Sequence, residues 1–260
     1  MGTHAAQGVH GGGHSWRCSL TLPALSALLP HPATAALAGG GGLALAVAAG
    51  AAAAQLRRRG VRVPYTRKLF HFAIFTAAAL VHELGGLPAT NAFGAAVAAW
   101  VLLAVARGDG DPLYEALARD SDRPRRTLFI LVPLVTTAVG GLVSALVAGP
   151  FAAVGYAVAG WGDAVGEPVG ARWGRHPYRV PSLAGVPARR TWEGSAAVFG
   201  ASVVAAALAL WGLGEPVPVA LPAALAAAAA ATVVEAVSHH GTDNLTVQIA
   251  ASLVAAALVR

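Results

Sequence analysis

From residue 33 to its C-terminus the chain is a succession of apolar runs separated by polar segments that hold almost all of its basic residues. The runs lie at about 33–56, 69–84, 88–106, 127–147, 151–161, 195–213, 217–234 and 245–259. Several approach the ~20 residues that a helix needs to cross the hydrocarbon layer. Unpaired backbone amides are not tolerated there, so runs of this length must be helices. Only 12% of the 260 residues are charged and 56% are hydrophobic, where a soluble domain carries about a quarter charged. The expected fold is therefore all-α: a polytopic transmembrane helix bundle of seven or eight crossings. The runs at 69–84, 151–161 and 245–259 are short, and the last two either cross or re-enter. The apolar piece 151–161 cannot cross alone, so the turn bearing Asp163 either extends it or lies at the membrane surface. Pro133 marks a kink inside the fourth run.

Charge placement orients the bundle. The segments 57–68, 107–126 and 162–193 carry six, five and five Lys or Arg, 16 of the 18 in the chain, leaving Arg17 and Arg260. If every run crosses, these three segments share one side with 235–244. The positive-inside rule assigns that side to the cytoplasm and both termini to the outside. The expected location is an integral one, in a bacterial plasma membrane. The net charge of +6 sits between apolar runs, where topology, membrane lipids and nucleotide phosphates explain it better than nucleic acid. A lone Cys18 excludes a disulfide framework and a thiolate metal cage. Residues 1–31 make a poor signal peptide and are read as a flexible or surface-lying leader. Residues 32–260 are read as a single transmembrane catalytic domain. Segment 107–126, charged with both signs, is expected to be a solvated loop with a short helix.

Four polar clusters interrupt this apolar background. In the first, Arg67, Lys68 and His71 stand at the start of the second run. In the second, Asp163 and Glu167 are four apart, on one face of a helix, and Gly162, Gly166, Gly170 and Gly174 repeat every fourth residue beside them. Carboxylates so close to hydrocarbon imply a cation, a basic partner or a water path. The glycines suit either close approach of a ligand or a small-residue packing strip. The third cluster is Arg190, Thr191, Glu193, Gly194 and Ser195, in which Thr191 can cap the following helix. The fourth is Glu235 with Asp243 and Asn244. Paired acids for a divalent cation, glycines for close approach and arginines for phosphate together suggest a phosphoryl-transfer site. The spacing matches neither the P-loop nor the dinucleotide fingerprint.

In this order the clusters resemble the integral-membrane, CTP-dependent lipid alcohol kinases of the dolichol kinase, phytol kinase and diacylglycerol kinase type. That group is distantly similar to phosphatidate cytidylyltransferases. The resemblance runs from Arg67 to the C-terminus. It rests on Arg67, Lys68 and His71; on Gly162, Asp163, Ala164, Pro168, Gly170, Trp173 and Gly174; on Thr191, Glu193, Gly194 and Ser195; and on Glu235, Asp243, Asn244 and Leu245. Arg190 stands where the family commonly has lysine, which keeps the charge and changes the donor geometry. The longer Lys-Arg-x(4)-Lys-Asp signature of a cytidylyltransferase is absent from the sequence.

The resemblance implies phosphoryl transfer from a CTP-like nucleoside triphosphate, with Mg2+, to a prenol, polyprenol or diacylglycerol entering from the bilayer. It implies catalytic roles for Lys68, His71, Asp163, Arg190, Glu193, Asp243 and Asn244. Arg67, Gly162, Gly166, Gly170, Gly174, Thr191, Gly194 and Ser195 would bind the nucleotide. Asp163, Glu167, Glu235 and Asp243 are the candidate metal ligands. A CDP-lipid-forming cytidylyltransferase and a cation- or proton-coupled transporter are the alternatives. The charges are expected at one interface, which speaks against alternating access. No protein partner is implied.

Overall fold

The computed structural model describes residues 28–239 and 241–260. The expected leader therefore lies outside the described residues, apart from 28–31. The first apolar run becomes helix α1 (Pro32–Arg58). Helix α2 spans Val63–Arg107, 45 residues interrupted at Gly86. A straight helix of that length would measure about 68 Å. Yet Thr66 Oγ1, near its start, donates to Ala116 O, beyond its end, at 2.7 Å. The chain therefore doubles back. Gly86 makes the turn with φ 63° and ψ −165°, a conformation open to glycine, and Pro88 opens the returning limb. His82 Nδ1 and Thr90 Oγ1 lie 3.1 Å apart across it. The runs 69–84 and 88–106 are the two limbs.

The segment after α2 is less solvated than its charge suggests. Helix α3 (Pro112–Leu117) is capped by Asp111, whose Oδ1 accepts from the amides of Leu113 and Tyr114 at 2.9 and 3.0 Å. Leu113, Tyr114, Ala116 and Leu117 are buried because α3 packs against α1 and α2. That packing draws the neighbouring charges inward. Arg126, 5% exposed, donates to Asp109 at 2.8 Å and to Glu115 at 2.7 Å.

Helix α4 (Leu128–Ala148) ends at Gly149, φ 62°, and α5 (Ala152–Trp173) returns beside it, so that Tyr156 lies against Gly141. Here the apolar piece 151–161 is extended, since the helix runs without a break through Asp163 and Glu167 over 22 residues. Helices α6 (Trp192–Gly212) and α7 (Val217–Val237) follow. The shorter α8 (Asp243–Val259) ends where Arg260 donates to Ala148 O at 2.8 Å, beside the α4–α5 turn. Five helical stretches are long and apolar enough to cross a bilayer: Pro32–Arg58, Val63–Arg107, Leu128–Trp173, Trp192–Gly212 and Val217–Val237. The second and third are the doubled-back pairs. This is the architecture of an integral membrane protein.

One element adds to the helical class. Strands β1 (Pro177–Leu183) and β2 (Val186–Thr191) form an antiparallel hairpin. Leu183 pairs with Val186 across the two-residue loop Ala184–Gly185, and both loop residues have positive φ, 53° and 77°. That is the geometry of a type I′ turn. Helix α5 lies at the centre of the bundle, packing on α2, α6 and α8. The hairpin leads directly into α6 beside the C-terminal end of α5.

Candidate active site

Residues of all four polar clusters meet where α5 passes the first limb of α2. Lys68 Nζ lies 2.5 Å from Asp163 Oδ2 and 2.9 Å from Glu167 Oε2, so one ammonium bridges two carboxylates. The four-residue spacing puts both acids on the face of α5 that meets α2. His71, one turn after Lys68, places Nε2 3.4 Å from Asp163 Oδ2 and stacks on Phe75 with ring centroids 4.2 Å apart. From the other side Arg190, at the end of β2, sets Nη2 2.7 Å from Asp243 Oδ2 and Nε 3.4 Å from Glu235 Oε1. One guanidinium thus ties the hairpin to the end of α7 and the start of α8.

Lys68, Asp163, Glu167, Arg190, Glu235 and Asp243 line one polar cavity of about 260 Å³, together with Arg67, Arg119, Arg189, Thr191, Ser195 and Asn244, whereas His71 lines the adjoining apolar space. Arg190 Nη1 and Glu235 Oε2 are buried without a partner among the described residues. Such orphaned groups are costly to bury, and they mark where a ligand's donors and acceptors would be met. Among the described residues no three His, Cys, Asp or Glu side chains converge as a ready-made metal cage. Hard carboxylate oxygens are nevertheless present in Asp163, Glu167, Glu235 and Asp243. A magnesium ion is ordinarily held by one or two carboxylates, waters and substrate phosphates. The donor set fits that manner of binding.

Arg119, one of the five basic residues of segment 107–126, also belongs to this cavity. Its Nη1 donates to Glu167 Oε1 at 2.9 Å, and its Nε donates to Asp122 Oδ2 at 3.0 Å. Burial opposes its charge, but the two carboxylates outweigh that and raise its pKa above the ordinary arginine value. Nothing local in the sequence separates Arg119 from its neighbours. Its place depends on α3 packing and carrying the following turn under α5.

Depth also differs from expectation. Asp163 is about halfway along α5, not at a helix end, because the helix continues through the polar stretch. The cluster lies within the bundle and opens beside the base of the hairpin.

The glycines have a packing role first. A Cβ on Gly162 or Gly166 would meet Val198 at 3.2 and 2.3 Å, and one on Gly170 or Gly174 would meet Thr191 at 3.0 and 2.5 Å. Gly194 faces Gly166 and Gly170 from α6. The period of four is therefore the seam that lets α6 lie against α5. Gly166, Gly170 and Gly194 also border the cavity, whereas Gly162 and Gly174 are absent from its wall. Thr191 caps α6 by accepting from the Gly194 amide at 3.0 Å, and Ser195 Oγ pairs with Tyr178 OH at 2.7 Å. Glu193 is turned to His176, Oε1 to Nδ1 2.6 Å, and does not line the cavity.

A second cavity adjoins the first. It encloses about 730 Å³ between the two limbs of α2 and α4, and its walls are almost wholly apolar. Arg67, Pro133 and Asn244 line both spaces. Asn244 is held there by donating to Thr137 Oγ1 at 2.9 Å, and Arg67 by donating to Phe129 O at 3.1 Å.

A phytol kinase of Synechocystis sp. is 36% identical to the chain over 106 residues, which cover 40% of this chain and 43% of that protein. The chain is a distant homologue of that kinase. The match spans less than half of the relative's length. No protein-family model matches the chain, and no solved structure matches it significantly.

Proposed function

We propose that the protein is a membrane-embedded lipid alcohol kinase, transferring the terminal phosphoryl group of a CTP-like nucleoside triphosphate to a long-chain alcohol. The observation that carries this reading is the junction of the two cavities. A polar chamber rich in carboxylates and cations abuts a large apolar one at Arg67, Pro133 and Asn244. Phosphoryl transfer needs alignment and charge neutralisation more than covalent help. The alcohol oxygen forms the new bond to phosphorus, the bond to the β-phosphate oxygen breaks, and the alcohol proton leaves to solvent.

In this reading Lys68, Arg67, Arg119 and Arg190 neutralise the polyphosphate, and Asn244 orients a phosphate oxygen at the junction. Asp163 would hold Mg2+, with Glu167, Glu235 or Asp243 as second ligand. When bound, the ion supplies further neutralisation of the phosphate oxygens. In this reading the two limbs of α2, with α1 and α4 to α8, would make eight crossings, or seven if the short α8 re-enters, and the positive-inside rule would assign the polar mouth to the cytoplasm. The distant homology to a phytol kinase supports the class of acceptor.

The test is a transfer assay with purified protein, Mg2+, a panel of lipid alcohols, and CTP, ATP or UTP labelled at the γ-phosphate. The expected products are a labelled lipid phosphate and the nucleoside diphosphate. Release of pyrophosphate with formation of a CDP-lipid would establish the cytidylyltransferase alternative instead. Absence of transfer from every nucleotide to every alcohol refutes the proposal.

A further inference from the structure

We infer that the apolar cavity between the limbs of α2 and α4 is a chain-binding site that admits one hydrocarbon chain of limited length and excludes two-chain and very long acceptors. This rests on the lipid alcohol kinase reading and narrows its acceptor. The walls are formed by residues such as Phe70, Ile74, Phe93, Val97, Leu134 and Leu142. At one end Asn244 and Arg67 join it to the polar cavity, so an occupant with a single polar end has one way to lie. Along its side Leu102, Val135 and Val139 line the space and are yet 47%, 58% and 44% exposed. The cavity therefore opens at the perimeter of the bundle, where lipid would lie.

Volume sets the limit. At about 30 Å³ for each small group, roughly the share a water molecule takes, 730 Å³ holds about 24 methylene-sized units. One prenyl or alkyl chain of about 20 carbons fills it; two acyl chains of membrane length cannot both be held within its walls. Because bilayer tails are as apolar as these walls, moving a chain from lipid to cavity gains little. Fit, not greasiness, decides. Gly94 offers the control point: it lines the cavity, and a Cβ there would meet nothing within 4 Å. A side chain at 94 would thus start from the cavity wall with no atom against its Cβ.

The experiment uses wild type and Gly94→Phe in bilayer nanodiscs, with acceptors compared at equal mole fraction in the lipid. Wild type is expected to use single-chain alcohols up to about 20–25 carbons and to lose about 5- to 150-fold in kcat/KM for diacylglycerol, the range of overfilling penalties. Gly94→Phe is expected to shorten the longest good acceptor by about seven carbons, the volume of its own side chain, with the nucleotide KM unchanged. In parallel, a diazirine-bearing single-chain alcohol should label the walls of α2 and α4 and be displaced by single-chain alcohols. If transfer fails throughout but labelling and displacement succeed, the kinase reading falls and the chain site stands. If Gly94→Phe leaves the length limit unmoved, or a diacyl lipid displaces the probe as well as a single-chain alcohol does, the inference is overturned.

Discussion

Replacing Lys68 by methionine keeps the side chain's bulk and removes the charge that Asp163 and Glu167 share. Lys68 is only 5% exposed, with its ammonium 2.5 and 2.9 Å from the two carboxylates. Glu167 would retain Arg119 at 2.9 Å, whereas Asp163 would keep only His71 at ion-pair range among the described residues. Removing one partner of a buried pair costs about 3–5 kcal/mol, chiefly by stranding the other charge. The 28% exposure of the Asp163 side chain puts the loss near the lower bound, about 3 kcal/mol. At about 2–4 °C per kcal/mol for a chain of this size, Tm should fall by about 6–12 °C. Asp163→Asn removes the stranded charge, so the double variant should recover at least half of that loss. Thermal unfolding in detergent, followed by the fluorescence of the six tryptophans, reads both. A Lys68→Met protein as stable as wild type, or a double variant no more stable than the single, would refute the ion-pair argument.

Further outcomes follow from the packing and the loops. Gly166→Leu drives a side chain into Val198, whose Cγ2 is 2.3 Å from the position of a Cβ there. Overpacking should cost about 1–3 kcal/mol and depress transfer, whereas Gly200→Leu, which faces open space on the same helix pair, should leave Tm and transfer unchanged. Glu193→Gln should preserve kcat, because Glu193 faces His176 outside the cavity; a collapse of kcat would return Glu193 to the site. The hydrogen bond from Arg126 holds the Glu115 carboxyl below its usual pKa. A depressed carboxylate contributes stability that is present above the unfolded value of about 4.3 and is lost as pH falls through the folded one. Thermal unfolding between neutral and acid pH should therefore show a shallower acid loss in Glu115→Gln than in wild type.

The helices were legible because bilayer chemistry leaves the chain few choices. Gly86 and Pro88 punctuate the turn of α2, and the apolar runs fall within the observed helices to within a few residues. Lys68, Asp163, Arg190 and Asp243 stood out as charges without apolar excuse, and they do converge on one cavity. What escaped depends on contacts between distant segments. Nothing near Arg119 announces that α3 will carry it to Glu167. The glycine period was compatible with a ligand or a neighbouring helix; the docking of Val198 and Thr191 shows the helix contact, while Gly166, Gly170 and Gly194 also border the cavity. The hairpin was hidden because its turn is Ala184–Gly185, without the Asn-Gly or Asp-Gly signal that usually marks such a turn. Glu193 looked like a site acid until its helix phase pointed it at His176.

The most direct test of the central claim, a single nucleotide-binding mouth opening to the cytoplasm, uses the chain's lone cysteine as an advantage. With Cys18 changed to serine and Ala171, which lines the polar cavity, changed to cysteine, a membrane-impermeant maleimide is applied to oriented vesicles. The account predicts labelling from the cytoplasmic side alone, slowed by CTP with magnesium and not by the lipid alcohol without nucleotide. Labelling from the opposite side, or labelling that nucleotide and magnesium leave unchanged, would contradict it.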